Sequence, residues 1–295
     1  MLLSDIRIRD PFILLHEGVY HLYGTIGEPK ARELYVHTSC DLVNWEGPFV
    51  IYRLADDSWA SGELWAPEVH LYGGRFYLMH SMLGKDGLRG TEISVADSPM
   101  GPFLPVSGRP ATPAGISCID GTLAVDNGRP YMIYSHDWPD CYDEALDAYV
   151  GRLEAVELSA DLSTPVGEPF LIFSSLEAPL SGEHPTHCRY QGKELTRFGS
   201  DGPFAFRLKD GRHLLLWSPI PDGNYVILGA VAESIRGPWR HLDAPIFAEN
   251  GGHSMVFADS DGGLRLCMHW PEIYFKEHTL LLDVKEDGDR LIPAK

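Results

Sequence analysis

The chain has 295 residues, 24 Lys+Arg against 42 Asp+Glu and a formal net charge of −18. At 44% hydrophobic residues it is too apolar for a disordered chain, and its acid excess excludes the net basic surface that nucleic acid or an anionic membrane requires. No apolar run approaches the roughly 18 residues of a membrane span. The N-terminus, Met1-Leu2-Leu3-Ser4-Asp5-Ile6-Arg7, lacks the basic and apolar regions of a signal peptide. Cys40, Cys118, Cys141, Cys188 and Cys267 are odd in number, widely spaced and without a C-x-x-C pair. They read as free thiols of a cytoplasmic protein.

In chain order, short runs rich in aromatic and β-branched residues alternate with Gly, Asp, Asn and Pro, and helical periodicity is nearly absent. One hairpin recurs five times. Asp10-Pro11-Phe12-Ile13 turns at Gly18 into Tyr20–Tyr23, and Ala66-Pro67-Glu68-Val69 turns at Gly73-Gly74 into Phe76–Met79. Asp120-Gly121-Thr122-Leu123 turns at Asn127-Gly128 into Tyr131–Tyr134, and Asp201-Gly202-Pro203-Phe204 turns at Asp210-Gly211 into His213–Trp217. Gly252-His253-Ser254-Met255 turns at Asp261-Gly262-Gly263 into Leu264–Met268. Asn-Gly and Asp-Gly suit tight hairpins because both tolerate positive φ.

A second element follows the first four hairpins: Gly47-Pro48-Phe49, Gly101-Pro102-Phe103, Gly167-Glu168-Pro169-Phe170 and Gly237-Pro238-Trp239. It reads as the turn into an outer edge strand, where Pro is tolerated. Five four-stranded units predict an all-β, five-bladed β-propeller spanning residues 1–295 as one domain. The fifth copy is the shortest, and Leu2–Ile8 is expected to complete it. Cys141–Asp147 reads as a solvated acidic loop. Pro179–Gly199, the longest insertion, is expected to cap the site.

Blades surround an axis, so equivalent positions at the start of each hairpin converge. Asp10, Asp120 and Asp201 would then share one funnel. Three buried anions repel, which a structural role explains poorly. An acid, a base and a tuner of protonation explain them, and these are what hydrolysis of a glycosidic bond requires. With water as the direct nucleophile, acid and base stand about 6.5–9.5 Å apart and the anomeric configuration inverts.

Arg9-Asp10-Pro11-Phe12-Ile13, Tyr20-His21-Leu22-Tyr23-Gly24-Thr25, Leu64-Trp65-Ala66-Pro67-Glu68-Val69-His70, Ile119-Asp120-Gly121-Thr122-Leu123 and Gly251-Gly252-His253-Ser254-Met255 together resemble glycoside hydrolase family 43. The resemblance implies a five-bladed propeller of inverting enzymes acting on arabinofuranosides, xylosides and, less often, galactosides. It implies Asp10 as general base and Asp120 as the group that orients the acid and modulates its pKa. The family usually has Glu before Gly-Pro at the start of the fourth blade, where this chain has Asp201. Glu177, Glu183 and Asp137 are rival acids. Trp65, Glu68, His136 and Asp137 are expected to contact sugar, and Trp138 reads equally well as contact or as packing. His253 resembles the family's axial histidine, which leaves a central calcium or another ion open as ligand; no cofactor is otherwise required. The expected partner is a small plant-derived oligosaccharide cut at a terminal α-L-arabinofuranosyl or β-xylosyl residue. A silent sugar-binding propeller and a scaffold for protein partners are the alternatives.

Overall fold

The computed structural model describes all residues except 28–30, 137, 191, 274–275 and 295, and the side chains of 138 and 190. Among the described residues the chain forms six four-stranded sheets. The first holds Arg9–His16, Val19–Thr25, Glu33–Ser39 and Glu46–Arg53. The second holds Ala60–Tyr72, Arg75–Gly84, Arg89–Ala96 and Leu104–Pro105. The third holds Cys118–Asp126, Arg129–His136, Arg152–Leu158 and Pro165–Ser174. The fourth holds Phe204–Arg207, His213–Trp217, Leu228–Ala232 and Arg240–His241. The fifth holds Gly252–Ala258, Leu264–Trp270, His278–Asp287 and Arg290–Pro293. All five are antiparallel meanders. The sixth is an insertion made of Tyr142–Asp143, Ala148–Val150, Lys193–Phe198 and Thr186–Tyr190, in that spatial order.

Local chemistry accounts for the hairpins. Glu17-Gly18, Gly73-Gly74 and Asn127-Gly128 are two-residue loops with positive φ at both positions, as a primed turn requires. Each Gly-Pro element leads into, or lies within, the fourth strand of its sheet. Two expectations fail. Leu2–Ile8 supplies no strand to the fifth sheet; Leu3–Asp5 is a 3-10 turn, and Leu2 bridges Asn44 of the first sheet. The fifth sheet is completed instead by Arg290–Pro293, folded back through Gly288, whose φ is 61°. Within the acidic run Glu144–Asp147 is an exposed turn, as expected, but Tyr142–Asp143 pairs with Ala148–Tyr149, and the long insertion is no loose cap, because its Thr196–Phe198 pairs in parallel with Ala148–Val150.

The first strand of each of the five sheets packs beside its neighbours: first on second, second on third, third on fourth, fourth on fifth, and fifth on first. One apolar cluster joins the first, second, fourth and fifth sheets through Ile13, Leu22, Leu64, Leu78, Leu214 and Leu266. Smaller clusters around Met132 and Tyr134, and around Phe173 and Trp217, bind the third sheet to the second and fourth. Cys118, Cys141 and Cys267 are buried free thiols, whereas Cys40 is exposed. Among the described residues no helix is long and apolar enough to cross a membrane.

The same β-bulge opens the first strand of every one of these sheets. Arg9 pairs with Thr25 but Phe12 with Tyr23, so Asp10 and Pro11 face one residue. The bulge recurs at Ala66-Pro67, Asp120-Gly121 and His253-Ser254. In the fourth sheet Ser218 N–H bonds to Asp201 O (2.8 Å) and Phe204 pairs with Leu216, which puts Gly202-Pro203 in the bulge. The first bulge residue is left-handed each time: Asp10 φ 50°, Ala66 45°, Asp120 58°, Gly202 48° and His253 49°. Asp201 therefore stands one residue before the position of Asp10 and Asp120, and His253 is the fifth equivalent, not Gly252.

The bulge frees a backbone N–H, and the preceding sheet receives it. Ala66 N donates to Thr25 Oγ1 (2.7 Å), Asp120 N to Ser81 Oγ (2.7 Å), His253 N to Ser218 Oγ (2.9 Å) and Asp10 N to His269 Nδ1 (3.1 Å). In the remaining case Ser135 Oγ donates to Ser200 O (2.8 Å) and Gly202 N donates to the Asp120 carboxylate (3.2 Å). Ser81→Ala would leave the buried Asp120 N–H without this acceptor. That substitution is expected to cost about 1–3 kcal/mol, read as a lowered midpoint in thermal unfolding; an unchanged midpoint would contradict it.

Candidate active site

The bulges aim their side chains into one cavity of about 450 Å³, lined by Arg9, Asp10, Thr25, Trp65, Asp120, Asp201 and His253 among others. Its size suits a small polar ligand. The structure thus brings together Asp10, Asp120, Asp201, Trp65 and His253. Left-handed φ is tolerated best by Asp, Asn and Gly. Gly202 is further required because a Cβ there would lie 2.7 Å from the His253 ring. Gly252 lets the Tyr225 ring approach: a Cβ would sit 2.7 Å from it.

Asp10 accepts a hydrogen bond from Thr25 Oγ1 (2.6 Å), and its other oxygen is 3.2 Å from His253 Nδ1. Burial pushes its carboxyl up, but His253 and the neighbouring Arg9 guanidinium outweigh burial and hold it well below the usual carboxylate range. Asp10 is therefore ionised at working pH. His269 is fully buried, accepts the Asp10 N–H at Nδ1 and bonds Glu272 Oε2 through Nε2 (2.7 Å), which places its proton on Nε2. Arg9 pairs with Glu272 and with Glu277 (2.7 Å to Oε1), so the cation nearest Asp10 is anchored by the fifth sheet.

Asp120 and Asp201 behave oppositely. Burial pushes Asp120 well up, and the Asp201 carboxylate pushes it further. Asp201 is half-buried, and burial pushes it up too, yet the hydrogen bond from Asp120, then His253 and Tyr225, hold it low. Tyr225 Oη donates to Asp201 Oδ2 (2.7 Å) and Gly202 N to Oδ1 (3.0 Å). The pair keeps one proton, resting on Asp120 and shared with Asp201. Tyr225 also stacks on His269, with centroids 5.4 Å apart and planes 14° apart. An ionised carboxylate facing a protonated pair can deprotonate a water and protonate a leaving oxygen.

A model of glycosyl hydrolases family 43 matches residues 3–271. The chain belongs to this family. Two curated Humicola insolens proteins match: Xylosidase/arabinosidase 43A is 32% identical over 34% of this chain and 31% of its own length, and Alpha-L-arabinofuranosidase 43 is 23% identical over 86% and 52%. The chain thus spans about a third and about half of their lengths. A solved structure described as an endo-arabinase from Bacteroides thetaiotaomicron VPI-5482 is 32% identical, with TM-score 0.87 and 98% of each chain covered.

In this family-43 chain the rival acids lie elsewhere. Glu177 is exposed and its carboxylate accepts the Ser174 N–H (2.9 Å). Glu183 is exposed at the end of the short helix Pro179–Glu183. Asp137 lies outside the described residues, as does the Trp138 side chain. Glu68 does not line the cavity; it is buried against His70 Nε2 (2.8 Å). His136 does not line it either, since its Nδ1 meets Glu154 Oε1 at 3.0 Å. Burial disfavours its charge, but Cys141 and Glu154 carry it up to about 10. Trp65 is half-buried at the rim and the Arg89 guanidinium covers one ring face at 3.5 Å.

Donor atoms of Asp120, Asp201 and His253 lie within 4.8 Å of one another. Calcium takes six to eight oxygens. Here one of the three donors is a nitrogen that faces Asp10, which leaves only two carboxylates to supply oxygens. The set does not fit calcium, and no step below passes through an ion.

Sequence reasoning gave no role to Arg9, Thr25, Tyr225, His269 or Glu272. Thr25 had a visible signal: a hydroxyl recurs after four of the five aromatic-rich strands, at Thr25, Ser81, Ser135 and Ser218.

Because the folded pKa of Asp120 is raised, the unfolded chain releases that proton first as pH rises. Folding stability therefore falls with pH above the unfolded carboxyl value. Asn mimics the protonated acid and removes this penalty. Asp120→Asn is expected to unfold at a higher temperature than the parent at pH 7, with a smaller or no advantage at pH 4. A lower midpoint at pH 7 would contradict the assignment.

Proposed function

We propose that the five meandering sheets close into one five-bladed β-propeller domain, and that this domain hydrolyses α-L-arabinofuranosyl linkages with inversion. The observation that carries the reading is the convergence of three carboxylates, Asp10, Asp120 and Asp201, on one cavity, in surroundings that push Asp10 down and Asp120 up. Asp10 takes a proton from water as the water oxygen bonds the anomeric carbon. The bond to the leaving oxygen breaks as that oxygen takes the pair's single proton, which passes from Asp120 through Asp201 and leaves both carboxylates ionised. Thr25 fixes the Asp10 oxygen, and Tyr225 fixes Asp201. Trp65 covers a sugar face at the rim.

The choice of arabinose rests on the names of the relatives, above all the endo-arabinase at 32% identity; β-xylosides are the competing substrate. We also read the free thiols as those of a protein working on short oligosaccharides in a reducing compartment.

Asp10→Asn and Asp201→Asn are each expected to lower kcat on an aryl α-L-arabinofuranoside by about 10²–10⁴-fold. Full activity in Asp10→Asn would remove it as base. Oligosaccharide binding by calorimetry with no turnover of any linkage would make the chain a silent binder. Activity is expected to survive exhaustive chelation; a loss restored by calcium would put an ion beside His253.

A further inference from the structure

The inserted sheet belongs to none of the five meanders, and a hydrolase site needs nothing from it to hold Asp10, Asp120 and Asp201. It nevertheless walls a second large cavity. Among the described residues, that cavity of about 990 Å³ is lined by Tyr142, Asp147, Tyr149, Lys193 and Glu194, together with Arg89 and Pro139. A smaller cavity of about 270 Å³ lies between it and the active site, sharing Arg89 and Pro139 with the outer one and Trp65, Ile119 and Asp201 with the inner one. The three abut in a row.

The row has a chemical direction. Asp10 lines only the inner cavity, whereas Asp201 lines both the inner and the middle one. In an inverting displacement the base and its water lie on the far side of the sugar from the leaving oxygen, and the acid stands beside that oxygen. The sugar that is released with inversion therefore occupies the inner cavity. The leaving group departs past Asp201 into the middle cavity and onward to the inserted sheet.

We propose that the inserted sheet is the leaving-group platform of this enzyme, holding the following sugars of an extended neutral pentose oligosaccharide against Tyr142 and Tyr149. The proposal rests on the hydrolase reading above. The two rings lie 5.1 Å apart at 56° and present two inclined apolar faces. Tyr142 is 50% exposed, and its hydroxyl is pinned by Asp147 (2.7 Å), so its ring is held in place while open to solvent. Exposed, fixed aromatic faces suit the C–H faces of sugars and lose little entropy on binding. The lining carries two cations, Arg89 and Lys193, against three carboxylates, Asp140, Asp147 and Glu194. Such mixed charge favours a neutral polyol over an anion. Arg89, stacked on Trp65 and bonded to Glu63 (2.5 Å), sets the width of the passage.

The test compares kcat/KM on arabinotetraose with that on 4-nitrophenyl α-L-arabinofuranoside, whose leaving group is too short to reach the sheet. The ratio is expected to fall about tenfold in the double variant Tyr142→Ala/Tyr149→Ala, and to be kept in Tyr142→Phe/Tyr149→Phe, which retains the rings. An unchanged ratio in the alanine variant would overturn the proposal. Calorimetric titration of arabinotetraose into Asp10→Asn, with and without the alanine changes, reads the same contact without turnover. Weaker binding in the triple variant supports the platform, and equal binding overturns it. Failure of the hydrolase reading is a separate result: the parent protein would then turn over neither substrate.

Discussion

The structure hangs on a repeated backbone device: a bulge whose first residue is left-handed and whose freed N–H is received by the preceding sheet. A left-handed residue other than glycine costs roughly 1–2 kcal/mol, and a bulge interrupts pairing. Both are tolerated here because four of the five N–H groups are fixed by a hydroxyl or an imidazole at one equivalent position, Thr25, Ser81, Ser218 or His269, and the fifth, of Gly202, by the Asp120 carboxylate. The same bond that satisfies the distorted strand also joins it to its neighbour. Distortion and assembly are thus one interaction, and the side chains of Asp10, Asp120 and His253 point inward as its by-product.

The charge arrangement follows from this geometry. Three carboxylates in one buried cavity cannot all be ionised without compensation. The chain separates them by surroundings. Asp10 is placed beside two histidines and next to Arg9, whose own charge is shared with Glu272 and Glu277. Asp120 and Asp201 are placed against each other, with Tyr225 favouring the charge on Asp201. The short Asp201 side chain, where the family pattern has Glu, begins one residue before the bulge position, and two donors, from Tyr225 and Gly202, fix its two oxygens.

Much of this was legible in the residues, for physical reasons. Hairpins were readable because Asn127-Gly128 and Gly73-Gly74 admit few backbone alternatives. The convergence of Asp10, Asp120 and Asp201 followed from the repeat, although only the φ values reveal that Asp201 stands one residue early. Glu68 and His136 misled because a polar residue on the right strand can be satisfied internally, by His70 and by Glu154. The inserted sheet was hidden because its strands are short and pair across a long stretch of chain, parallel in one case, which leaves no local alternation. Arg290–Pro293 was hidden by its length. His269 was hidden because its role depends on a contact 259 residues away.

That last separation has a consequence for how the protein comes into being. Asp10 emerges long before its partners His253 and His269, the latter 259 residues later, and before the Glu272 and Glu277 that anchor Arg9. During synthesis the base waits, without the groups that set its charge, until the fifth sheet has left the ribosome. The first sheet can form early from local hairpins, yet chemistry cannot begin before the fifth arrives. Termination within the fifth sheet would therefore leave Asp10 without its histidine neighbours and Arg9 without its carboxylate anchors.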